Sequence, residues 1–97
     1  MTVAAFHSSL NETVPPAALT PELRSLWLVR NNRWEEAHAI AQDIPTPDGS
    51  WIHALLHLIE GDVGNAQYWF SRAGRPARGS KEIDSEWEKL AAHLCKE

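Results

Sequence analysis

The sequence predicts an all-α fold of about five helices in stacked hairpins, and three observations predict it. Apolar residues recur at the 3.6-residue period in segment after segment, and no stretch shows the alternation of a strand. Helix-starting and helix-ending residues punctuate those segments in the right order. The tryptophans (Trp27, Trp34, Trp51, Trp69 and Trp87) are spread over the helical segments, where large rings join helices together.

Residues 1–19 carry few periodic apolar positions and contain Pro15-Pro16. They are expected to form a flexible N-terminal arm that adds little to stability. Residues 20–97 are expected to form a single helical domain. Thr20 is its first cap, with Pro21 at the first helical position, where a missing N–H costs nothing. Leu23, Leu26, Trp27 and Arg30 make the first stripe, and Asn31-Asn32 ends it. A second helix starts near Arg33, with Trp34, Ala37, Ala41 and Ile44 at helical spacing. Its first turn holds Glu35 and Glu36, where the helix dipole favours negative charge. The run Pro45-Thr46-Pro47-Asp48-Gly49 then breaks the chain.

A third helix is expected from about Gly49 to Glu60, with Asp48 as its cap and Ile52, Leu55, Leu56 and Ile59 on one face. The run from Trp51 to Ile59 has no charged residue. A helix apolar nearly all round is buried on several sides, so this one should be central. Gly61 closes it and Asp62 caps the fourth helix, whose inner face reads Val63, Ala66, Phe70 and Ala73. Gly74 ends that helix. From about Ser80 a last helix carries Ile83, Trp87, Leu90, Ala91 and Leu94, and is expected to close the stack as a cap.

Composition narrows the functional classes. The chain has 97 residues and a net charge of −4 with histidine neutral. Phosphate backbones are bound mainly through Lys and Arg, so nucleic acid is not an expected partner. The one basic concentration, Arg72, Arg75, Arg78 and Lys81, reads as a solvated loop. No apolar run is long enough to span a membrane. Met1 to Leu10 lacks the basic and apolar regions of a signal peptide. A lone cysteine, Cys95, fits a reducing compartment, and a cytoplasmic location is expected.

Residues 26–44 can be laid over residues 55–73. Leu26 then falls on Leu55, Asn32 on Gly61, Ala37 on Ala66, Ala41 on Phe70 and Ile44 on Ala73. Each copy is a helix, a tight turn and a second helix. The string Gly61-Asp62-x-x-x-Ala66-x-x-x-Phe70-x-x-Ala73 resembles the second half of the tetratricopeptide repeat. Small residues also stand where that repeat brings its two helices together, Ala54 opposite Ala66 and Ser25 opposite Ala37. The period is shorter than the roughly 34 residues of that repeat. Asn32-Arg33 replaces Gly-Asp in the first copy, and Ser50 and His57 stand at the family's Trp and Tyr positions. Between Trp34 and Pro76 the chain reads His53-Ala54-x-x-His57, then Glu60-Gly61-Asp62-x-x-Asn65-Ala66-x-Tyr68-Trp69, then Ala73-Gly74-Arg75, and with this string it is also similar to a group of small bacterial proteins of this helical-hairpin type. The resemblance implies stacked hairpins and transfers no functional residue.

Two constellations bear on chemistry. His53 and His57 lie one turn apart on a helix, so their rings point the same way. Such a pair can hold a metal if a third ligand arrives, and His38 and Glu60 are placed to approach. The Glu of His-Glu-x-x-His is absent, which removes the metalloprotease motif. The opposing expectation is that these histidines pack neutral against the preceding helix and hold no metal. Asn65, Tyr68 and Arg72 share one face of the fourth helix and can hydrogen-bond a ligand or peptide, or serve only as cap and solvated face. Cys95 and His93 point to opposite sides of a helix and cannot pair.

With no catalytic motif in view, the first expectation is a non-enzymatic protein-interaction or scaffold module with no cofactor, binding a protein segment or itself. The alternative is a small ligand- or metal-binding protein using His53, His57 and His38.

Overall fold

In a computed structural model, residues 1–95 are described. Six α-helices follow in order: α1 (Val3–Ser9), α2 (Pro21–Arg30), α3 (Trp34–Ala41), α4 (Pro47–Ile59), α5 (Val63–Arg72) and α6 (Ile83–Leu94). A turn of 3-10 helix, Ser80–Glu82, leads into α6. The described residues contain no strand, and the predicted all-α class holds.

The most extensive pairings are α4 with α5 and α2 with α3. Both hairpins turn in the same way. Asn32 has φ 60° in the first and Gly61 has φ 89° in the second. The next residue's N–H reaches back past the helix end: Arg33 to the Leu28 carbonyl at 3.0 Å, Asp62 to the His57 carbonyl at 2.9 Å. This is a Schellman-type closure, which needs a left-handed residue at the first position past the cap. Glycine adopts that conformation freely and asparagine is among the few residues that tolerate it. The overlay of residues 26–44 on 55–73 is therefore built into the backbone. Ser25 donates its hydroxyl to the Ala37 carbonyl at 2.8 Å, so the small pair of the first hairpin is where the two helices meet.

Helix α4 is central, as its uncharged run predicts, and it packs against α2, α3, α5 and α6. Every residue from Trp51 to Leu58 is buried. Ile59, expected on the apolar face, is 40% exposed, and Val63, expected on the inner face of α5, is 42% exposed. Both flank the α4–α5 turn, beyond the reach of a second layer. Helix α4 also starts earlier than expected. Thr46, not Asp48, is its cap, accepting from the Gly49 N–H at 3.4 Å, with Pro47 at the first helical position. The Pro-rich run is thus a helix start rather than a plain break.

Gly49 is buried where the α3–α4 connection folds back. A Cβ there would lie 2.3 Å from the Ile44 carbonyl oxygen and 2.6 Å from its Cβ. A backbone oxygen cannot swing aside as a side chain can. Gly49→Ala should therefore cost about 1–3 kcal/mol through overpacking, despite the better helix propensity of alanine. Gly64→Ala is the control. Nothing lies within 4 Å of a Cβ at that position, and the change should be neutral or stabilising by up to about 1 kcal/mol. Urea melts of the two variants check the pair, and equal stabilities would refute the clash.

The N-terminal arm departs most from expectation. Residues 3–9 are helical, capped by Thr2, and Phe6 is wholly buried. The Phe6 ring stacks on Trp87 of α6 at 5.8 Å, and the Trp27 indole N–H donates to the Ser9 carbonyl at 3.1 Å. Leu19 is buried too. The arm is therefore docked on α6 and α2. Helix α6 brings a second surprise, Glu86, which is 1% exposed. Its carboxylate accepts from the Trp51 indole at 3.0 Å and pairs with Arg78 at 3.2 Å and Lys89 at 3.4 Å. A buried carboxylate is tolerated when its oxygens are occupied in this way.

Candidate metal centre

Two helices bring the imidazoles together, His38 from α3 and His53 and His57 from α4. Trp34 opens α3 and donates its indole N–H to the Leu56 carbonyl of α4 at 2.7 Å. That bond pins the start of α3 to α4. His38 lies one turn further along α3 and so faces His53 and His57 on α4. The Nε2 atoms of His38 and His53 are 3.0 Å apart. The His38 ring meets the His53 ring edge-on at 4.6 Å and the His57 ring at 5.4 Å. Nitrogen donors of all three lie within 4.8 Å of one another.

Two tryptophans wall the cluster. Trp34 stacks on His38 at 4.8 Å with 9° between planes, and Trp69 of α5 stacks on His53 at 4.0 Å with 14°. His53 and His57 are buried and His38 is half-buried. The fully buried small residues Ala54 and Ala66 lie on the two helices that carry His53 and Trp69.

Each ring nitrogen that faces out of the cluster matters to its chemistry. His57 Nδ1 is 2.6 Å from the Glu60 carboxylate, and its Nε2 is 3.4 Å from the Asn65 side-chain amide. A carboxylate accepts only, so Nδ1 carries the proton and Nε2 keeps its lone pair. The Asn65 amide donates to that lone pair. Asp62 caps α5 and accepts from the Asn65 backbone N–H at 3.3 Å, which sets Asn65 over His57. His57, Glu60 and Asp62 also bring donors within 4.8 Å of one another. There Glu60 is engaged with His57 and Asp62 with the α5 backbone, so these two carboxylates act as supports for the imidazole cluster.

Burial and mutual proximity favour the neutral form of His53 and His38. His53 is pushed down to about 4, by burial first and then by the neighbouring His38 and His57. His38 is lowered by burial and by His57, with Glu60 pulling the other way. A neutral imidazole is the form that ligates a metal.

Of the residues singled out from the sequence, His38, His53, His57 and Asn65 come together. Tyr68 and Arg72 do not join them. Tyr68 is 54% exposed and accepts from the Arg72 guanidinium at 3.2 Å. Arg72 also lies 5.5 Å from the Trp69 ring centroid. Trp34 is expected beside the histidines of the central helix, and the structure places it there. The sequence reading missed Trp69 as the second wall, because it read simply as hairpin packing; its placement one turn after Asn65 is the signal that was available. No family model matches the chain, and neither a characterised protein nor a solved structure proved similar to it.

Proposed function

We propose that this protein binds a divalent transition-metal ion through His38, His53 and His57. The observation that carries the reading is the convergence of three imidazole donors from two helices, with the Glu60 carboxylate behind one of them. Imidazole sets favour zinc, nickel, copper or iron over the hard cations calcium and magnesium. A tetrahedral ion at roughly 2.0–2.1 Å from its ligands separates them by about 3.3 Å. The His38–His53 nitrogens already stand near that spacing at 3.0 Å. Their present contact needs one ring to donate and the other to accept. An ion would take both lone pairs and move the proton to the far nitrogen. Glu60 on His57 Nδ1 is the usual outer partner of a ligating histidine, fixing its tautomer and raising its basicity.

Equilibrium dialysis of untagged, chelator-treated protein against zinc tests this. One equivalent should bind and raise the melting temperature. His38→Ala should abolish stoichiometric binding, and its half-buried position makes it the least disruptive ligand deletion. Glu60→Gln should weaken affinity about 10–100-fold. No retained zinc, or a His38→Ala variant that binds as tightly as the parent, would refute the proposal.

A second reading, a protein-interaction module, is favoured by one other observation. A hollow of about 550 Å³ lies between the start of α2 and the end of α3, lined by Pro21, Ala39, Ile40, Ile44 and Pro45. Light scattering of the untagged chain over a range of concentrations tests whether that surface joins two copies.

A further inference from the structure

We infer that the fourth coordination position of this centre belongs to a small exogenous anion, and that the Asn65 amide holds it. The inference rests on the metal-binding reading and adds what the bound ion is for: an exchangeable site for an oxyanion or small carboxylate.

Three features lead there. The first is the ligand count. Among the described residues, the grouped donors that include His38 and His53 are those two and His57 alone. The carboxylates beside His57 are engaged, Glu60 with its Nδ1 at 2.6 Å and Asp62 with the Asn65 backbone N–H at 3.3 Å. Three protein ligands with one position left open is the pattern of exchangeable centres, whereas structural zinc sites close all four.

The second feature is charge. Three neutral imidazoles bring no negative charge to a doubly charged ion. The site is walled by the Trp34 and Trp69 rings and two of its ligands are buried. In such a low-dielectric setting an ion's own charge dominates its surroundings. Glu60 offsets part of it through His57, and the remainder favours an anionic fourth ligand over a neutral one.

The third feature is Asn65. Its amide nitrogen is 3.4 Å from His57 Nε2 and donates to the lone pair there. An ion on His57 takes that lone pair and displaces the amide N–H from it. The freed donor, turned aside about the Asn65 side-chain bonds, is available to an oxygen of the fourth ligand. A half-buried donor left unpaired is costly, so an anion that accepts from it gains affinity. The bond from the Asn65 backbone N–H to the Asp62 carboxylate holds the main chain of Asn65 beside His57, so the freed amide has only a short way to turn.

Visible absorption of the cobalt(II)-loaded full chain reads out the open position. Azide, acetate and inorganic phosphate, titrated in separate experiments, should change the spectrum saturably, with one anion per cobalt. Asn65→Ala, compared with the parent at full cobalt loading, should bind the anion about ten- to a hundredfold more weakly, the loss expected for one hydrogen bond to a charged group. Asn65→Asp, which offers an acceptor in place of the donor, should abolish the anion response. A cobalt spectrum indifferent to all three anions overturns this inference and leaves metal binding standing. Failure to take up cobalt overturns the metal reading and this inference with it. An Asn65→Ala variant that binds anion as tightly as the parent removes Asn65 from the role.

Discussion

Phe6→Ala should destabilise the protein by roughly 3–5 kcal/mol, the cost of removing a buried aromatic side chain. The reason lies in what α1 is. A helix spanning Val3–Ser9 is far shorter than the dozen or more residues that a helix needs to persist alone in water. It exists because it is docked. Phe6 is completely buried against Trp87, and Trp27 holds the Ser9 carbonyl. At its edge His7 meets Glu88 at 2.9 Å, and Arg30 bridges Asp84 and Glu88 at 3.0 and 3.5 Å. Those exposed pairs add little each. The ring is the anchor, and without it the Trp27 and Trp87 indoles lose their cover. Domains of this size are stable by only about 5–15 kcal/mol, so the loss is a large fraction of the whole. Urea unfolding followed by tryptophan fluorescence measures it. Val14→Ala, at a position 64% exposed, should leave the midpoint where it is. A Phe6→Ala variant within about 1 kcal/mol of the parent would mean that α1 is an ornament on the domain rather than part of its core.

Why the sequence hid α1 while disclosing the rest follows from periodicity. Helices α2 to α6 each bury a stripe, and a stripe repeats. Helix α1 buries one large ring and one serine, Phe6 and Ser9, and a single ring has no period. The signal that existed was Thr2, a good cap, ahead of an alanine-containing segment. The hairpin turns were legible because Asn32 and Gly61 fall in register in the overlay, and both adopt positive φ. The start of α4 was misplaced because two prolines close together read as a break. Pro47 in fact follows a capping Thr46 and sits where proline starts helices.

The candidate centre was legible in part for a similar reason. His53 and His57 share a face by helical geometry alone, and the uncharged run around them required burial. The meeting with His38 is a tertiary fact. It depends on the Trp34 indole reaching the Leu56 carbonyl, which no spacing rule contains. Glu86 shows the same limit: its Trp51 partner is on α4, distant in sequence, so a buried carboxylate there looks like an ordinary surface glutamate until the helices pack.

In the metal-free protein, stability should fall as pH drops from about 6.5 towards 4, with His53 as the main cause. The sign follows from the shift. His53 is depressed from 6.5 to about 4 in the folded chain, mainly by burial, so over that interval the unfolded chain binds a proton that the folded chain refuses. Stability then rises with pH, is complete above about 6.5 and is lost towards 4. A shift of this size corresponds to about 3 kcal/mol. His38 is depressed as well and adds in the same direction, although Glu60 opposes it. The carboxyls of Glu36 and Glu82 lie below their ordinary range, held there by Arg33 and by the Gly79 N–H respectively, so the stability they add is lost only as pH falls below about 4.5. The interval from 6.5 to 4.5 therefore separates His53 and His38 from those carboxyls. His53→Gln should flatten the acid limb there, and His38→Gln should flatten it less. Repeating the titration with zinc separates packing from ligation. Metal affinity requires neutral imidazoles and falls with acid, so the zinc-loaded protein should start higher and descend more steeply to meet the metal-free curve. Denaturant midpoints measured across this interval, with chelator and with zinc, give both curves. A metal-free limb unchanged by His53→Gln would show that the buried cluster does not govern the acid response.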